Sequence, residues 1–345
     1  MKKLTALILA LCMVFALCAC GSGDTQPAAQ NTPSAAQETQ PAAQDPQPAA
    51  EIDWPTKTIE IICPYSAGGG SDTMARSLAT ALDQTGLLGQ SVIVTNMPGG
   101  NGLIGASYVA DKPDDQYLFV TNVTGDLGAW ISSDSGMNME YFKPVAMFCW
   151  DSYVMVVKVD APYDSLEEMI QYSKDHPGDV TIAGTGIGTV DHILHLQCVS
   201  EYGMDAEYVA YDGGSDVVTA ILGGHVSGNW CNPAEAIGYL ESGDFKALAI
   251  AGDQRLESMS EVPSTAELGF EKINWRQYRG VLATKNTPDE VIEKFISVME
   301  EACTSDYFLD EYIAAKSLIP DFRAGADFAA TIEESWAEQL EVLGK

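Results

Sequence analysis

Basic residues are scarce in this chain. It carries 18 Lys and Arg against 49 Asp and Glu, which gives a formal net charge of −31 at pH 7. A field of that sign repels nucleic acid and anionic membrane surfaces, so no nucleic-acid partner is expected. A small anionic ligand is still compatible with it. A local pocket of backbone amides can oppose the global charge, and salt screens that charge over about 8 Å.

Signatures of metal, redox and hydrolytic chemistry are also missing. The sequence has no C-x-x-C pair and no G-x-S-x-G elbow, and its glycine loops lack the Lys-Ser/Thr ending of a nucleoside-triphosphate loop. His192 and His195 are spaced for one face of a helix, but no carboxylate or cysteine completes a zinc set. We therefore expect that the protein is not an enzyme and that it binds neither a cofactor nor a metal ion. A hydrolase is the less favoured alternative, because catalytic partners can be distant in sequence.

A hydrophobic run long enough to span a membrane is absent as well. The run from Leu4 to Leu17, behind a basic start, has the length of a signal-peptide core. It ends in Leu17-Cys18-Ala19-Cys20-Gly21, which resembles a bacterial lipobox. This resemblance implies cleavage before Cys20 and a lipid on its sulfur; a plain secretory peptide cut nearby is the alternative. We expect residues 1–19 to be the leader and Cys20 to anchor an extracytoplasmic protein to the cell membrane.

The segment after the leader is rich in Gln, Ala, Pro, Thr and Ser and poor in aliphatic side chains. Such a composition cannot bury enough apolar surface to offset its ordering entropy, so residues 20–51 are predicted to be the lipidated cysteine and a disordered tether. The remaining stretch of about 295 residues suffices for one large or two ordinary domains. Its cysteines are odd in number and widely spaced. We predict buried free thiols, with one disulfide as the alternative, for Cys63, Cys149, Cys198, Cys231 and Cys303.

The most informative stretch runs from Cys63 to Asp72. Thr58–Ile62 before it predicts a buried strand, and the segment 73–82 after it predicts a helix that Ser71 or Asp72 can cap. Three consecutive glycines leave the loop amides accessible, so that these amides and the helix dipole can face an anion. A purely structural turn between strand and helix is the alternative.

Two further predicted strands, at 91–95 and 117–121, alternate with an Ala-rich helix that ends near Ala110. This order predicts an α/β sheet with parallel pairing, in which ligands bind at the carboxyl ends of the strands. Asn122 and Thr124, in the polar loop predicted after the third strand, would lie there beside the first glycine loop.

The middle of the chain repeats this arrangement. A strand is predicted at 180–183, followed by the loop Gly184–Gly186 and a helix from Asp191 to Tyr202. Two strand–loop–helix units could hold one anion between two helix N-termini.

An ordered set of motifs resembles one family over the chain from about Trp54 to Lys345. The motifs are Pro64–Asp72, Asn96–Gly105, Gly186–His192, Tyr208–Gly214, Leu222–Val226 and Arg255–Gly269. They are similar to those of the substrate-binding proteins of tripartite tricarboxylate transporters, the Bug receptors. The resemblance implies an α/β, two-lobed, periplasmic-binding-protein-like (type II) fold with a ligand cleft between the lobes. It also implies a monomeric receptor that closes on a small organic anion and delivers it to membrane permease subunits.

The same resemblance implies two hinge crossings, which fit best at 147–157 and 274–282. The first lobe would then consist of residues 52–152 and 278–345, and the second of residues 153–277. A surface lipoprotein that binds a protein partner or acts in signalling is the alternative function.

Candidate ligand contacts follow from the loops and the resemblance, and include both backbone and side-chain groups. In the first lobe they are Tyr65, Ser66, Ala67, Gly69, Gly70, Ser71, Asn122 and Thr124. In the second lobe they are Gly184, Thr185, Gly186, Thr189, Asp191, His192, Tyr211, Trp230 and Cys231.

Two positions depart from the family pattern. Asp191 stands where the relatives usually carry serine, and Cys231 lies where they often carry aspartate. A carboxylate at 191 would repel a second ligand carboxylate or accept a hydrogen bond from a hydroxyl or ammonium group. The resulting hypothesis is a monocarboxylate with a polar or aromatic remainder, amino acids included, with Trp230 or Trp150 against its body.

Overall fold

A computed structural model describes residues 52–133, 135–211 and 213–345. The predicted leader, Cys20 and the tether therefore lie outside the described residues. Within these ranges, no helix combines the length and the apolar character that a membrane crossing requires.

The first part of the chain alternates strands with helices. The elements are β1 (Ile59–Cys63), α1 (Gly70–Thr85), β2 (Val92–Asn96), α2 (Leu103–Ala110), β3 (Leu118–Val123), α3 (Thr124–Ser132) and β4 (Phe142–Asp151), with a 3-10 turn at Met139–Tyr141. β1 pairs in parallel with β2 and β3, as predicted. The prediction of a polar loop after the third strand is wrong. β3 continues to Val123, and α3 begins at the next residue.

The middle part builds a second sheet. Its elements are β5 (Val154–Lys158), α4 (Leu166–Asp175), β6 (Thr181–Gly184), α5 (Val190–Tyr202), β7 (Glu207–Ala210), α6 (Gly214–Leu222), β8 (Gly228–Cys231), α7 (Pro233–Ser242) and β9 (Phe245–Ile250), with a 3-10 turn at Glu257–Met259. The five strands lie in the order β7-β6-β8-β5-β9. β6 runs parallel to β7 and β8, and β5 runs antiparallel to β8 and β9.

The last part returns to the first sheet. It contains β10 (Gln277–Thr284), α8 (Asp289–Cys303), α9 (Asp306–Phe308) with a π turn at Leu309–Ile313 and a 3-10 turn at Ala314–Lys316, β11 (Ile319–Ala324) and α10 (Ala326–Leu343). β10 lies between β3 and β4 and is antiparallel to both. The six-stranded order is β11-β4-β10-β3-β1-β2.

The two sheets define two lobes. We call the six-stranded sheet with α1–α3 and α8–α10 the first lobe, and the five-stranded sheet with α4–α7 the second lobe. The chain passes from the first sheet to the second between Asp151 and Val154, and back between Ile250 and Gln277. Both passages overlap the predicted crossings, whereas the residue-level lobe boundaries stay a prediction.

Each sheet is covered on both faces, which explains the continuous apolar runs of its central strands. In the first lobe, Phe119 of β3 packs on Phe295 of α8 with ring centroids 4.4 Å apart. In the second lobe, Trp230 of β8 is 1% exposed. The five cysteines of the described region are free and buried, which confirms the predicted thiols.

Candidate ligand-binding site

The loop between β1 and α1 carries the first group of predicted contacts. Ser66, Ala67 and Gly69 are exposed, and Gly69 is the N-cap of α1 with no side-chain cap. The predicted capping by Ser71 or Asp72 is therefore wrong. The first helical hydrogen bond runs from Thr73 N–H to Gly69 O (2.9 Å), so the N–H groups of residues 70–72 precede it.

Asp72 instead holds this loop in place. Its Oδ2 accepts a hydrogen bond from Gly68 N–H (2.9 Å), and its Oδ1 accepts one from Asn96 Nδ2 (2.8 Å). Arg76 also donates to it, and this bonding holds the pKa of Asp72 below its ordinary value although burial opposes the shift. Because its carboxylate is engaged by Gly68, Asn96 and Arg76, it does not accept from the amides of Gly70 and Ser71, and the described residues supply these two amides with no acceptor outside the helix.

A buried guanidinium lies against the start of α1. A Cβ atom built on Gly70 would be 3.0 Å from a terminal nitrogen of Arg279, in β10. Arg279 Nε donates to Asp151 Oδ2 at 3.0 Å, and both side chains are under 5% exposed. Burial opposes the positive charge, but the field of Asp151 outweighs it and raises the pKa of Arg279 above its ordinary value. The N-terminus of α1 and a permanent cation thus meet at one point.

Asn122 and Thr124 belong to an internal network instead. Asn122 Oδ1 accepts from Tyr278 OH (2.6 Å), and Thr124 Oγ1 accepts from Tyr278 N–H (2.8 Å). Asn122 Nδ2 donates to Asp126 Oδ2 (3.1 Å), and neither Asn122 nor Thr124 is more than 1% exposed. Since their polar groups already bond inside the first lobe, we give them a supporting position and not a ligand contact.

The hydroxyl group of Tyr65 belongs to the same hydrogen-bond network as Asn122. Its hydroxyl donates to Asp126 Oδ1 at 2.5 Å, and Asp126 Oδ2 also accepts from Val123 N–H at 2.8 Å. Burial raises the pKa of Asp126 to about 6, although these donors and the Arg279 charge oppose the shift. The aromatic ring of Tyr65 is therefore held by the carboxylate at the start of α3.

The second glycine loop, between β6 and α5, is folded on itself. Asp191 Oδ2 accepts from both Thr185 N–H (2.5 Å) and Thr185 Oγ1 (3.0 Å). Gly186 O accepts from Thr189 Oγ1 at 2.8 Å and from Tyr208 OH at 2.9 Å. Asp191 thus occupies both donors of Thr185, a residue that the sequence assigned to a ligand, and it is itself 2% exposed.

His192 also supports this loop. Its Nδ1 accepts from Gly188 N–H at 3.1 Å, and its ring lies 4.6 Å from that of Tyr208. Burial lowers the pKa of His192, so the imidazole is neutral in this role. In the described part of the chain, no three His, Cys, Asp or Glu side chains are grouped closely enough to hold a metal ion.

The aromatic and thiol candidates do not line an open cleft. Trp230 is enclosed in the core of the second lobe, and Cys231 is buried with its Sγ 3.9 Å from Val154 O. Tyr211 is half-buried, and its N–H donates to Gly184 O at 2.8 Å. Trp150 donates through Nε1 to Asp321 Oδ2 at 2.8 Å and has two arginines near its ring. The interpretation of Trp230 or Trp150 as a surface against the ligand body does not fit these contacts.

The loops of the two lobes meet directly. A Cβ on Gly186 would lie 2.6 Å from Nδ2 of Asn101, and one on Gly125 would lie 3.8 Å from Thr189 Cα. The second glycine loop therefore faces the loop before α2 and the start of α3 across the junction of the lobes. That it holds one anion together with the first glycine loop stays a prediction.

Three charged groups of this junction were not identified from the sequence. Asp151 ends β4, Arg279 lies in β10, and Glu235 lies in the first turn of α7. Burial raises the pKa of Glu235 to about 7, and the negative fields of Asp151 and Asp191 add to the shift. The signal for Arg279 was a charge inside a strand pattern that is otherwise apolar. Glu235 follows the carboxyl end of a strand by four residues, a position that the strand-end rule could have flagged.

Comparison with known proteins identifies the family. The profile described as the tripartite tricarboxylate transporter family receptor matches residues 74–336, which is well over half of the chain.

The chain belongs to this family.

Its members are substrate-binding receptors and not enzymes, and the predicted family and enzyme class are confirmed. Among relatives of the tripartite tricarboxylate receptor family, the protein BugT of Bordetella pertussis is 29% identical over 299 residues, covering 84% of this chain and 90% of BugT.

Solved structures show the same fold. A structure described as a periplasmic transporter has 26% identity and a TM-score of 0.78, and the match covers 85% of this chain and 98% of that one. MatC from Rhodopseudomonas palustris, solved with bound malate, has 22% identity and a TM-score of 0.77, and the match covers 84% and 99% of the two chains. This chain is thus a two-lobed extracytoplasmic receptor of the periplasmic-binding-protein type.

Proposed function

We propose that this receptor captures a small organic carboxylate between its lobes and delivers it to the permease subunits of a tripartite tricarboxylate-type transporter. The observation that carries the proposal is the start of α1, which has no side-chain cap and where a Cβ on Gly70 would lie 3.0 Å from a terminal nitrogen of the buried Arg279. A helix N-terminus together with a fixed cation is a strong anion site, because hydrogen bonds to a charged acceptor are stronger than neutral ones.

The proposed contacts follow from this point. The ligand carboxylate accepts from the amides of Gly70 and Ser71, and the loop Gly184–Thr189 covers it from the second lobe. Closure moves the second lobe about the passages at 151–154 and 250–277. The malate bound to MatC, a protein of the same fold, is an example of a small carboxylate in such a receptor. We further propose that a lipid on Cys20 holds the receptor on the outer face of the cell membrane.

A thermal-shift screen tests the function. Residues 51–345 form one compact unit and can be screened against organic acids, amino acids and aromatic carboxylates. A ligand that binds only the folded state at a hundredfold excess over its Kd adds about 2.7 kcal/mol to the unfolding free energy. No shift with any compound, in protein that mass spectrometry shows to be free of co-purified ligand, would reject the receptor. Tight binding to a protein partner would then favour the surface-lipoprotein alternative.

A matched pair of variants tests the site itself. Gly70 is the first helical residue, and Gly69 before it is extended (φ −77°, ψ 175°), so proline is tolerated at 70. Gly70→Pro removes one N–H donor, whereas Gly70→Ala keeps it and adds the same Cβ beside Arg279. Loss of a hydrogen bond to a charged group predicts roughly 10- to 150-fold weaker carboxylate binding for the proline variant alone. Equal affinities of the two variants would show that the anion binds elsewhere.

A further inference from the structure

Asn101, in the loop between β2 and α2, has a backbone conformation that suits glycine. Its φ is 52°, and the glycines on either side of it, at 100 and 102, have φ values of 59° and 85°. In the described ranges, Ser317 is the one other non-glycine residue with a positive φ. Asparagine tolerates this conformation better than most residues, but glycine adopts it without steric cost. The local backbone therefore gives no reason for a side chain at position 101.

The Asn101 side chain lies against the second lobe. Gly186, in the loop between β6 and α5, has a φ outside the left-handed region, so its backbone would accept an L residue. A Cβ on Gly186 would lie 2.6 Å from Nδ2, 2.8 Å from Cγ and 2.8 Å from Oδ1 of Asn101, and these are the three atoms nearest to it. The side chain at 101 thus fills the space that a side chain at 186 would need. The two residues complement each other across the junction of the lobes.

Both loops are held in place at this contact. On the first lobe, a Cβ on Gly102 would lie only 3.3 Å from the hydroxyl oxygen of Tyr65, a residue of the first glycine loop. On the second lobe, Gly186 O accepts from Thr189 Oγ1 at 2.8 Å and from Tyr208 OH at 2.9 Å. A side chain between two such loops has a fixed position relative to both lobes.

The carboxamide of Asn101 is not used by its own lobe. Asn96 and Asn122, near the ends of β2 and β3, bond to side chains of the first lobe. Within the described ranges, the half-buried carboxamide of Asn101 makes no hydrogen bond to a side chain or to the backbone. What this side chain contributes to the fold is therefore its volume at the junction.

Removal of that volume would leave space and would not bring the lobes closer. A Cβ on Gly188 would lie 2.2 Å from Gly128 O, so the backbones of the two lobes already touch two residues beyond Gly186. Because this backbone contact limits their approach, a shorter residue at 101 enlarges the space between the lobes.

We propose that Asn101 is a specificity-determining residue, whose side chain, packed against Gly186, closes one side of the ligand space and so limits the size of the ligand. The inference rests on the proposed function, because a carboxylate at the start of α1 places the rest of the ligand between the same two lobes. Asn101 adjoins the first glycine loop through Gly102 and Tyr65, and Gly186 belongs to the loop proposed to cover the ligand.

Two homologous series of probes test this size limit by calorimetry. They are the unbranched monocarboxylates from acetate to octanoate and the unbranched dicarboxylates from malonate to suberate. The quantity compared is the chain length that binds most tightly. Asn101→Gly suits the positive φ and should shift this optimum to longer chains, with about fourfold higher affinity for each methylene group that it newly accommodates. Where mass spectrometry finds a co-purified ligand, its homologue with one more methylene group is the probe.

A second variant and its combination with the first test the contact itself. Gly186→Ala adds a methyl group where the carboxamide lies and should displace it into the ligand space, which weakens binding at the wild-type optimum about 10-fold. Asn101→Gly/Gly186→Ala puts the methyl group into the vacated space, so binding should recover to the wild-type level. Gly238→Ala controls for an added methyl group, since a Cβ there meets nothing within 4 Å.

Asn101→Asp is the matched control at the same position, because it keeps the shape of the side chain and tolerates a positive φ. Its negative charge should weaken binding of every carboxylate, but the optimum chain length should stay that of wild type. Melting temperatures close to that of wild type show that the variants fold. An unchanged optimum in Asn101→Gly, or a shifted one in Asn101→Asp, would overturn the inference and leave the receptor function standing. Absence of binding by every probe, in protein free of co-purified ligand, would overturn both.

Discussion

Gly128 of α3 and Gly188 of the second glycine loop touch backbone to backbone across the junction of the lobes. A Cβ on either glycine would overlap the carbonyl oxygen of the other. Gly188 also has a positive φ of 87°, which favours glycine, whereas Gly128 lies in a helix where alanine is preferred on local grounds. The absence of a side chain at 128 therefore serves the approach of the two lobes.

Gly128→Ala tests whether this approach is needed for binding. The added methyl group collides with Gly188 and with the Gln339 side chain, so the lobes cannot reach the same separation. We expect ligand affinity to fall at least 10-fold, while the far-UV circular dichroism of the unliganded protein stays the same. Gly238→Ala is the control, since a Cβ there meets nothing within 4 Å. Unchanged affinity of Gly128→Ala would show that binding does not depend on this contact.

The Asp151–Arg279 pair predicts a large loss of stability when one partner is removed. Arg279→Met leaves the Asp151 carboxylate buried without its cation, which costs about 3–5 kcal/mol of unfolding free energy. Urea denaturation measures the change. The surface pair Arg255–Glu267 offers the comparison, because Arg255→Met removes an exposed contact and should change the midpoint little. Similar effects of the two variants would contradict a buried, charged Arg279.

Asp126 predicts a pH-dependent term in stability. Burial raises its pKa to about 6, above the ordinary 3.8, so the folded state binds this proton more tightly than the unfolded chain does. The loss of unfolding free energy from this carboxyl is absent below about pH 4 and grows as the pH rises through about 6. Above that pH it is constant, at about 3 kcal/mol. Its surroundings are the Tyr65 hydroxyl, Asn122, Val123 N–H and the field of Arg279.

Asp126→Asn should remove this term. The amide oxygen can keep the bonds from Asn122 and Val123, and the NH2 group can donate to the Tyr65 oxygen. The stability difference between this variant and wild type should therefore increase in favour of the variant from pH 4.5 to pH 7 in denaturation series. Asp253→Asn, at an exposed position, provides the baseline. A difference that stays constant with pH would show that Asp126 titrates normally.

The proposed anchor on Cys20 predicts a change of cell fraction. Cys20→Ser removes the sulfur that would carry the lipid, so we expect loss of labelled palmitate and release of the protein from sedimented membranes. Cys18→Ser alters the predicted leader, which the lipobox interpretation has removed by cleavage before Cys20, and should leave both properties unchanged. Labelled, membrane-bound Cys20→Ser protein would contradict the lipobox interpretation.

Local patterns predicted the framework of the site well. The β-branched strand at 58–62, the glycines and the following helix formers gave β1, its loop and α1, because each signal acts within a few residues. The N-cap was wrong because Asp72 turns back to Gly68 N–H and Asn96. Asn122 and Thr124 were placed in a loop because polar side chains at a strand end look the same whether they face a ligand or Tyr278.

The charges that decide the chemistry could not be predicted in the same way. Arg279 reaches Asp151 across 128 positions, and only the antiparallel insertion of β10 beside β4 brings them together. Glu235 acquires its unusual environment from three separate elements that no local window contains. Trp230 was predicted to lie against the body of the ligand, yet its place on the central strand β8 puts it in the core.

The position of the C-terminal helix offers a way to detect ligand binding by the receptor. α10 begins beside β11, where Phe328 packs in the core of the first lobe, and Gln339 donates to Thr124 O at 3.0 Å. Its last turn reaches the second lobe, because Val342 and Leu343 pack against the core of that lobe. Any rotation of one lobe relative to the other must therefore shift this turn along the second lobe or detach it. A fluorophore attached at Lys345 would thus report ligand capture optically, and a bulky fusion at the same end would hinder it.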